Sequence, residues 1–257
     1  MLLHIIEPFD KLALNICDYA WYASQSNFDK RVEIGQVKNP DDPKHKVVHW
    51  GTGGSLIGPV SSNYLDTGIL RLVYFGSINP EKGLDILFES LPRLIKLVNG
   101  KLEILIIGGD TEYKKELQKE IKKQGNDKYV KFYGFMSTDE FDKIAETCDL
   151  GLALFVPEIG GQPNFSYYAD PSKPRDYLAN GLPVLITAVP FIHKDIQEYN
   201  AGIVLDKYSA ESLVLAVSAY VKNPSMYKKG AYKLAQVDRY DVYYGSKFGL
   251  VYKDLQN

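Results

Sequence analysis

The first segment with the residue types for chemistry is GSINPEKG, which follows the apolar run Leu70–Phe75. Gly76 lets a ligand approach the backbone closely. Ser77 adds a hydroxyl group, and Lys82 adds a positive charge. Backbone amides combined with a cation suit a phosphate group. The segment has neither the P-loop pattern nor the GxGxxG pattern, and taken alone it is explained equally well as a plain surface turn.

A more specific segment is DPSKPRDYLANGLPV, which begins at Asp170. Asp170 or Ser172 can cap a helix, and Gly181 can end it in the left-handed conformation. Ser172 and Lys173 would then lie at the positive N-terminus of that helix, which favours a diphosphate. Asp176, one turn further on, can accept hydrogen bonds from the cis hydroxyls of a ribose. Stabilisation of the helix dipole explains an acidic residue at this position equally well.

Two glycine pairs add candidate anion contacts. Gly108 and Gly109 follow the apolar run LEILII and permit close approach of a ligand or a neighbouring loop. The loop PEIGGQPNFSYYAD contains Glu158 and the pair Gly160-Gly161. Long loops inside compact domains are uncommon and are often functional. A tight turn in the first case and simple flexibility in the second explain the glycines equally well.

Alternating strands and helices must position these segments. Short apolar runs predict strands, and amphipathic stretches with 3.6-residue spacing predict helices. The predicted strands are Leu70–Phe75, Leu102–Ile107, Val130–Tyr133, Leu150–Phe155, Val184–Thr187 and Gly202–Leu205. The predicted helices are Asp85–Val98 (with a kink or early end at Pro92), Tyr113–Lys123, Ser137–Thr147, Arg175–Ala179 and Ala210–Val221. This alternation predicts an α/β fold, a Rossmann-like doubly wound parallel sheet with helices on both faces.

Composition excludes several classes of protein. The 257 residues are 45% hydrophobic and 24% charged, an ordinary globular composition. The net charge of −2 argues against a nucleic-acid partner. Two distant cysteines argue against disulfides and structural zinc and fit a reducing cytosol. No apolar run approaches the ~18 residues of a membrane span, and the N-terminus does not resemble a signal peptide. We therefore expect a soluble cytoplasmic protein, with peripheral contact to the inner membrane face left open.

Five motifs occur in an order and spacing that resemble a known family. They are GSINPEKGLDIL, LEILIIGGD, KFYGF, CDLGLALF and PSKPRDYLANGLPVLIT. From about residue 15 onward the sequence resembles the donor-binding half of a GT-B glycosyltransferase, most closely the retaining family 4 ("group 1") transferases. The resemblance implies transfer of a sugar from a nucleotide-diphosphate sugar to a glycan or lipid-linked acceptor, with retention. We expect no metal ion and no other cofactor, because Lys82, Lys173 and helix N-termini can stabilise the departing diphosphate and the donor domain has no Asp-x-Asp motif.

The resemblance also implies roles for particular residues. Lys82 would contact the donor diphosphate, Asp176 would hold the nucleotide ribose, and Phe135 would lie at the base. The loop containing Glu158 would meet the sugar and the phosphates, and Lys82, Asp176 and Glu158 are the expected catalytic residues. The further expected binding residues are Gly76, Ser77, Gly108, Gly109, Phe135, Gly160, Gly161, Ser172 and Lys173.

One departure from the family pattern concerns positive charge. Ser77 stands where the family has a phosphate-binding arginine, so Lys173 or Arg175 would have to supply that charge.

A second departure concerns the family's paired glutamates, eight positions apart. Tyr168 stands eight positions before Asp176, and Glu158 and Asp170 remain open as substitutes. The family's usual histidine near the reacting centre has no match among the four histidines.

The resemblance divides the chain into three parts. Residues 1–60 would be a remnant of the N-terminal acceptor domain plus a linker, residues 61–239 the donor-binding domain, and residues 240–257 a C-terminal crossover helix with an aromatic stripe. We expect such a chain to be inactive or incomplete alone. The alternative is a non-catalytic nucleotide-sugar-binding subunit or scaffold that pairs with a separate polypeptide supplying the N-terminal half. A sugar-nucleotide epimerase of similar fold is a third option.

Overall fold

A small N-terminal unit precedes the main sheet. The computed structural model describes residues 2–53, 63–239 and 241–245, with side chains described from residue 8. The unit consists of α1 (Leu2–Ile16), β1 (Ala20–Tyr22), α2 (Gln25–Glu33) and β2 (His45–Val47). Strands β1 and β2 pair in parallel, and Ala20 and Tyr22 are buried beneath the helices.

The remaining elements alternate as the sequence predicts. In chain order they are α3 (Asn63–Thr67), β3 (Leu70–Phe75), α4 (Leu84–Leu97), β4 (Leu102–Ile107), α5 (Glu112–Lys123), β5 (Val130–Tyr133), α6 (Thr138–Ala145), β6 (Leu150–Ala153), β7 (Glu158–Ile159), β8 (Gln162–Pro163), α7 (Ser172–Ala179), β9 (Val184–Thr187), α8 (His193–Glu198), β10 (Gly202–Leu205), α9 (Ala210–Lys222) and α10 (Pro224–Val237). None of the helices in the described ranges is long and apolar enough to cross a membrane.

Six strands form one parallel sheet in the order β10-β9-β6-β3-β4-β5. The chain moves from β3 outward through β4 to β5, and then returns to place β6 on the other side of β3. The strand order therefore reverses at β3. In open α/β sheets, ligands bind beyond the carboxyl ends of the strands at such a reversal. The predicted doubly wound α/β sheet is confirmed, and its topology marks the ends of β3, β4 and β6 as the place for a site.

Two apolar cores cover the two faces of this sheet. Successive side chains of a strand point to opposite faces. Leu70 and Leu72 therefore pack on one side with helices α4 and α9, whereas Val73 and Phe75 pack on the other with α6, α7, α8 and α10. Helix α6 begins with a capping box formed by Ser137 and Glu140.

Three details differ from the sequence-based expectation. Strand β6 ends at Ala153 rather than at residue 155. Helix α4 continues through Pro92 to Leu97, so an early end at the proline is wrong. Helix α7 begins at Ser172 and has Pro171 at its N-cap, without a side-chain cap. Capping by Asp170 or Ser172 is therefore wrong, because the Asp170 carboxylate binds other groups.

The predicted linker and the C-terminal segment are described only in part. Residues 54–62 of the linker, and Tyr240, Phe248 and Tyr252 of the aromatic stripe, lie outside the described residues. Tyr243 belongs to the described helical turn 241–245, and its ring stacks on the His49 ring at a centroid distance of 4.0 Å. The described part of this turn therefore packs against the end of the N-terminal unit.

Candidate functional site

Two adjoining cavities lie at the carboxyl edge of the sheet. The first, of about 270 Å³, lies between the ends of β3 and β6 and is also lined by Ser172. The second, of about 370 Å³, lies between the ends of β3 and β4. Both cavities are lined by Phe75, Gly76, Ser77 and Lys173. The reversal of strand order has thus produced one continuous candidate site with two compartments.

Glycine is required where the two strand ends meet between the compartments. The Gly76 amide donates to the Ile107 carbonyl oxygen at 3.0 Å, which holds the two turns together. A Cβ atom on Gly108 would lie 2.2 Å from the Gly76 carbonyl oxygen, closer than any side chain allows. Gly109, by contrast, faces open space. Gly108 and Gly109 both line the second cavity.

A short 3-10 turn places Lys82 at the first cavity. The Asn79 side chain accepts from the Glu81 amide at 3.1 Å and starts the turn, and Gly83 ends it with a φ of 66°. The Lys82 ammonium group lies 5.3 Å from the centre of the Phe155 ring. Within the described residues no carboxylate forms an ion pair with Lys82. Its positive charge is therefore available to a ligand.

Lys173, the second residue of α7, borders both cavities. Its ammonium group lies 4.1 Å from the centre of the Phe75 ring and donates to Asp176 Oδ2 at 3.2 Å. Burial raises the pKa of Asp176, and the nearby Lys173 opposes that shift. Asp176 lines neither cavity, so its predicted contact with a ribose remains a prediction.

Glu158, Gly160 and Gly161 lie on a small hairpin outside both cavities. Strands β7 and β8 pair antiparallel, and the glycines at its tip have φ angles of 58° and 74°. Such angles suit a two-residue hairpin turn of type I′, which explains both glycines structurally. Glu158 is exposed. The predicted contacts of this loop with a sugar remain predictions.

Phe135 lines the second cavity together with Met136. It follows the end of β5, and its side chain is 85% exposed. An exposed aromatic ring beside a cavity offers a flat apolar surface to a ring-shaped ligand. The sequence therefore placed Phe135 at this site, although its predicted contact with a base is not tested by the geometry.

The buried hydroxyl group of Tyr177 supports the site in a way that the sequence did not predict. It donates to the Leu152 carbonyl oxygen at 3.2 Å and accepts from the Phe75 amide at 2.9 Å. It thereby joins the ends of β3 and β6 beneath the first cavity. Burial raises its pKa well above the usual range, so the hydroxyl stays protonated. Its position in the motif DYLANG was visible, but the sequence contains no signal for this pair of contacts.

Arg175 is not available to a ligand. It is 3% exposed and lies between the carboxylates of Asp170, at 3.0 Å, and Asp238. Burial alone would lower its pKa, but the two carboxylates raise it. The alternative in which Arg175 replaces the family's phosphate-binding arginine is therefore wrong. Lys173 remains the candidate for that charge.

The same carboxylates hold the end of the N-terminal unit. The Trp50 amide donates to Asp170 Oδ2 at 2.6 Å, and His49 Nε2 lies 2.7 Å from Asp238 Oδ1. Across residues 2–53, 63–239 and 241–245, no group of three or more His, Cys, Asp or Glu side chains is arranged to hold a metal ion.

A match to a protein-family model shows which family the chain belongs to. Residues 65–235 match the model of the glycosyl transferases group 1, which is more than half of the sequence. The chain belongs to this family. The match spans every strand from β3 to β10 and both cavities, so the predicted resemblance is confirmed. No curated protein sequence matches the chain.

Solved structures show the same GT-B architecture. Sucrose-phosphate synthase from Thermosynechococcus elongatus has a TM-score of 0.68 at 13% identity, covering 98% of this chain and 62% of that chain. Anabaena HepE, in complex with UDP and glucose, has a TM-score of 0.70 at 15% identity, covering 96% and 66%. The C-terminal domain of LpcC, a glycosyl transferase group 1 family protein from Francisella tularensis, has a TM-score of 0.55 at 18% identity, covering 72% and 96%.

At sequence identities of 13%, 15% and 18%, the similarity to these structures shows only that this chain shares their fold. The present chain spans 62% and 66% of the two longer relatives, so about a third of each lies outside the comparison. The LpcC domain, in contrast, is covered almost completely, which agrees with the prediction of a C-terminal half.

Proposed function

We propose that this chain binds a nucleotide-diphosphate sugar and forms the donor half of a glycosyltransferase. The sugar passes with retention to a glycan or lipid-linked acceptor. The observation that carries this proposal is the pair of cavities at the carboxyl edge of the sheet, which share Gly76, Ser77 and Lys173. Family membership and the complex of HepE with UDP and glucose support it.

The chemistry of the two cavities suggests how the donor lies. The first has Lys82, Lys173 and the start of α7, all of which favour negative charge. The second has Phe135, Met136 and open space at Gly109. The diphosphate therefore belongs in the first cavity and the nucleoside in the second, with the ribose near Lys173 and Asp176.

Catalysis would depend on stabilising the negative charge that develops as the bond between sugar and diphosphate breaks in the donor. The bond between the anomeric carbon and the phosphate oxygen breaks, and negative charge grows on the departing nucleoside diphosphate. Lys82 and Lys173 would stabilise that charge, a contribution that can be large in a water-excluded site. Retention requires the acceptor oxygen to bond on the face that the diphosphate leaves, and the acceptor proton can pass to the departing phosphate. In this proposal the two ammonium groups provide the positive charge without a metal or other cofactor.

A second candidate function is a nucleotide-sugar-binding subunit that pairs with a separate polypeptide. The supporting observation is the apolar surface of the N-terminal unit. Phe9, Leu12 and Ile16 of α1 are exposed at helical spacing, and Trp21 of β1 is 40% exposed. A parallel pair of strands is normally covered on both faces. Both candidate functions use the same proposed donor site. In the second, a separate polypeptide supplies the acceptor site.

The decisive experiment is a thermal-shift series with UDP, GDP, ADP and their sugar conjugates. At roughly 100 times the dissociation constant, binding adds about 2.7 kcal/mol of stability, which is a visible shift. We expect a shift with the diphosphates of one base. The absence of a shift with any of them contradicts the proposed function.

Turnover separates the two candidate functions. Sugar transfer, or slow release of sugar from the bound donor, by the chain alone supports the enzyme. Binding without either, together with recovery on addition of a separate N-terminal-domain polypeptide, supports the subunit.

A further inference from the structure

Lys114 is a buried lysine that the proposed reaction does not use directly. It lies in the first turn of α5, and the residue is only 5% exposed. Lysine is among the side chains that are almost never buried without partners. Its ammonium group donates to three acceptors, the Tyr133 carbonyl oxygen at 2.8 Å, Asp110 Oδ1 at 2.8 Å and the Gly108 carbonyl oxygen at 3.2 Å. All three of its donor hydrogens therefore have a partner.

These acceptors belong to two different turns. Gly108 and Asp110 follow β4 and line the second cavity. Tyr133 ends β5 and stands two residues before Phe135, which lines the same cavity. The ladder between the two strands ends with the pair Ile107↔Tyr133. Lys114 therefore joins the turns at the point where the sheet no longer does.

Among the described residues, no backbone hydrogen bond replaces this bridge. Of the backbone hydrogen bonds outside helices and strands in the described part of the chain, none joins residues 108–111 to residues 134–137. On the far side of the cavity, the Thr111 hydroxyl donates to the Ile78 carbonyl oxygen at 3.0 Å and accepts from the Lys114 amide at 3.0 Å. The start of α5 is thus fixed to the turn after β3 as well.

We propose that Lys114 is the positioning residue for the nucleoside end of the donor. It sets the separation between the Gly108–Asp110 turn and the Phe135 turn, and hence the width of the second cavity. The inference rests on the proposed function, because it assumes that a nucleoside occupies this cavity. It does not apply to the diphosphate, since the three acceptors of the Lys114 ammonium group do not line the first cavity.

The test compares UDP, or whichever nucleoside diphosphate of the series binds, with inorganic pyrophosphate by isothermal titration calorimetry. In Lys114→Met we expect the affinity for the nucleoside diphosphate to fall at least about tenfold, while the affinity for pyrophosphate stays within about twofold. The control is Lys115→Met, because Lys115 lies on the same helix, is exposed and pairs with Glu112. We expect no change in that variant.

A further variant separates positioning from charge. Without its lysine, Asp110 would carry an uncompensated negative charge beside the cavity. If Lys114→Met/Asp110→Asn recovers nucleoside diphosphate binding, Lys114 acts by neutralising Asp110 and the proposal is overturned. If the double variant still binds the nucleoside diphosphate more weakly but pyrophosphate as well as the unaltered chain does, Lys114 acts by positioning. The proposal is also overturned if Lys114→Met loses affinity equally for the nucleoside diphosphate and for pyrophosphate, or loses affinity for neither.

Folding and the proposed function are checked in the same experiment. If Lys114→Met does not fold by circular dichroism, Lys114→Arg, which keeps the charge and several donors, is judged by the same ratio of affinities. In Lys114→Arg we expect a smaller loss of affinity for the nucleoside diphosphate relative to pyrophosphate. If the ratio of the two affinities is the same as in the unaltered chain, the inference is overturned. If the unaltered chain binds none of the ligands, the proposed function itself fails, a result distinct from failure of the Lys114 inference.

Discussion

Lys82 and Lys173 carry the same charge but lie in different surroundings. Lys173 shares its ammonium group with Asp176 at 3.2 Å, so the pair is close to neutral before a ligand arrives. Lys82 faces an aromatic ring and has no ion-pair partner among the described residues. Among the described residues that line the first cavity, Lys82 is therefore the lysine whose positive charge has no carboxylate partner. This difference gives the two lysines separate tests.

Lys82→Ala should weaken binding of the nucleoside diphosphate by about 1–3 kcal/mol, the cost of a lost charge-assisted hydrogen bond. Calorimetric titration gives the affinity, and thermal melting shows whether the fold is intact. Lys96→Ala is the matched control, because Lys96 is exposed in the last turn of α4 and lies outside both cavities. An unchanged affinity in Lys82→Ala would remove this residue from the site.

Asp176→Ala should have opposite effects on two ligands. Loss of the carboxylate removes the proposed ribose contact, which should weaken nucleoside diphosphate binding by about 1–3 kcal/mol. It also frees the Lys173 ammonium group, so pyrophosphate should bind as well as before or better. The same titrations measure both affinities. Parallel weakening of both ligands would show that Asp176 acts through the fold and not through the ribose.

At the scale of elements, the sequence predicts most of the fold because local patterns and tertiary packing agree. The apolar runs that predict strands all form strands of the sheet. The exceptions have specific causes. Helix α4 continues past Pro92 because the buried face of Leu84, Leu87, Leu91 and Leu94 packs on the sheet and outweighs one missing hydrogen bond. Strand β6 ends early where the Leu154 carbonyl oxygen approaches Gly83.

The candidate site is predictable to the extent that it consists of strand ends. Parallel strands place their carboxyl ends at one edge, so the sequence predicts that Gly76 and Gly108 come together. Lys173 is predicted at the same edge because it lies at the start of the helix before β9. The contacts of Arg175 and Lys114 could not be predicted in this way. They depend on partners at positions that no periodicity connects, such as Asp238 for the arginine and the Tyr133 carbonyl oxygen for the lysine.

Two glycines with similar backbone angles should respond very differently to alanine. Gly83 has a φ of 66°, and an added Cβ atom would lie 1.8 Å from the Leu154 carbonyl oxygen. Gly160 has a φ of 58° and nothing within 4 Å. Gly160→Ala should cost about 1 kcal/mol of unfolding free energy for the backbone angle alone. Gly83→Ala should cost at least about 3 kcal/mol, because β6 or the Lys82 turn must also move.

Urea denaturation of both glycine variants measures this difference. Because Gly83 ends the turn that carries Lys82, its alanine variant should also lose affinity for the nucleoside diphosphate, whereas Gly160→Ala should keep it. Equal destabilisation in the two variants would contradict the close approach between Gly83 and β6.

At the scale of the whole molecule, Arg175 joins three distant parts of the chain. Its partner Asp170 also binds the Trp50 amide, and its partner Asp238 also contacts His49. The arginine itself belongs to α7, whose first residues line the two cavities of the candidate site. The N-terminal unit, the candidate site and the segment after α10 are therefore connected through one buried guanidinium group.

Arg175→Met should destabilise the protein strongly, because it leaves two buried carboxylates without their cation. Removing one partner of a buried ion pair costs about 3–5 kcal/mol of unfolding free energy. The matched control is Arg239→Met. Arg239 pairs with Asp241 at the surface, and both side chains are about half exposed, so its loss should leave the free energy of unfolding nearly unchanged. Urea denaturation at pH 7 measures both.

The pH dependence of this cost tests its physical cause. The carboxylates raise the pKa of Arg175, so the arginine stays charged between pH 5 and 8 and its own titration adds no pH dependence there. In Arg175→Met the folded state binds protons more readily than the unfolded chain, because protonation removes the uncompensated buried charge. Stability of the variant therefore rises as the pH falls. The difference from the unaltered protein should be smaller at pH 5 than at pH 7. An equal difference at both values would mean that lost packing around the arginine side chain, and not charge, connects the three parts.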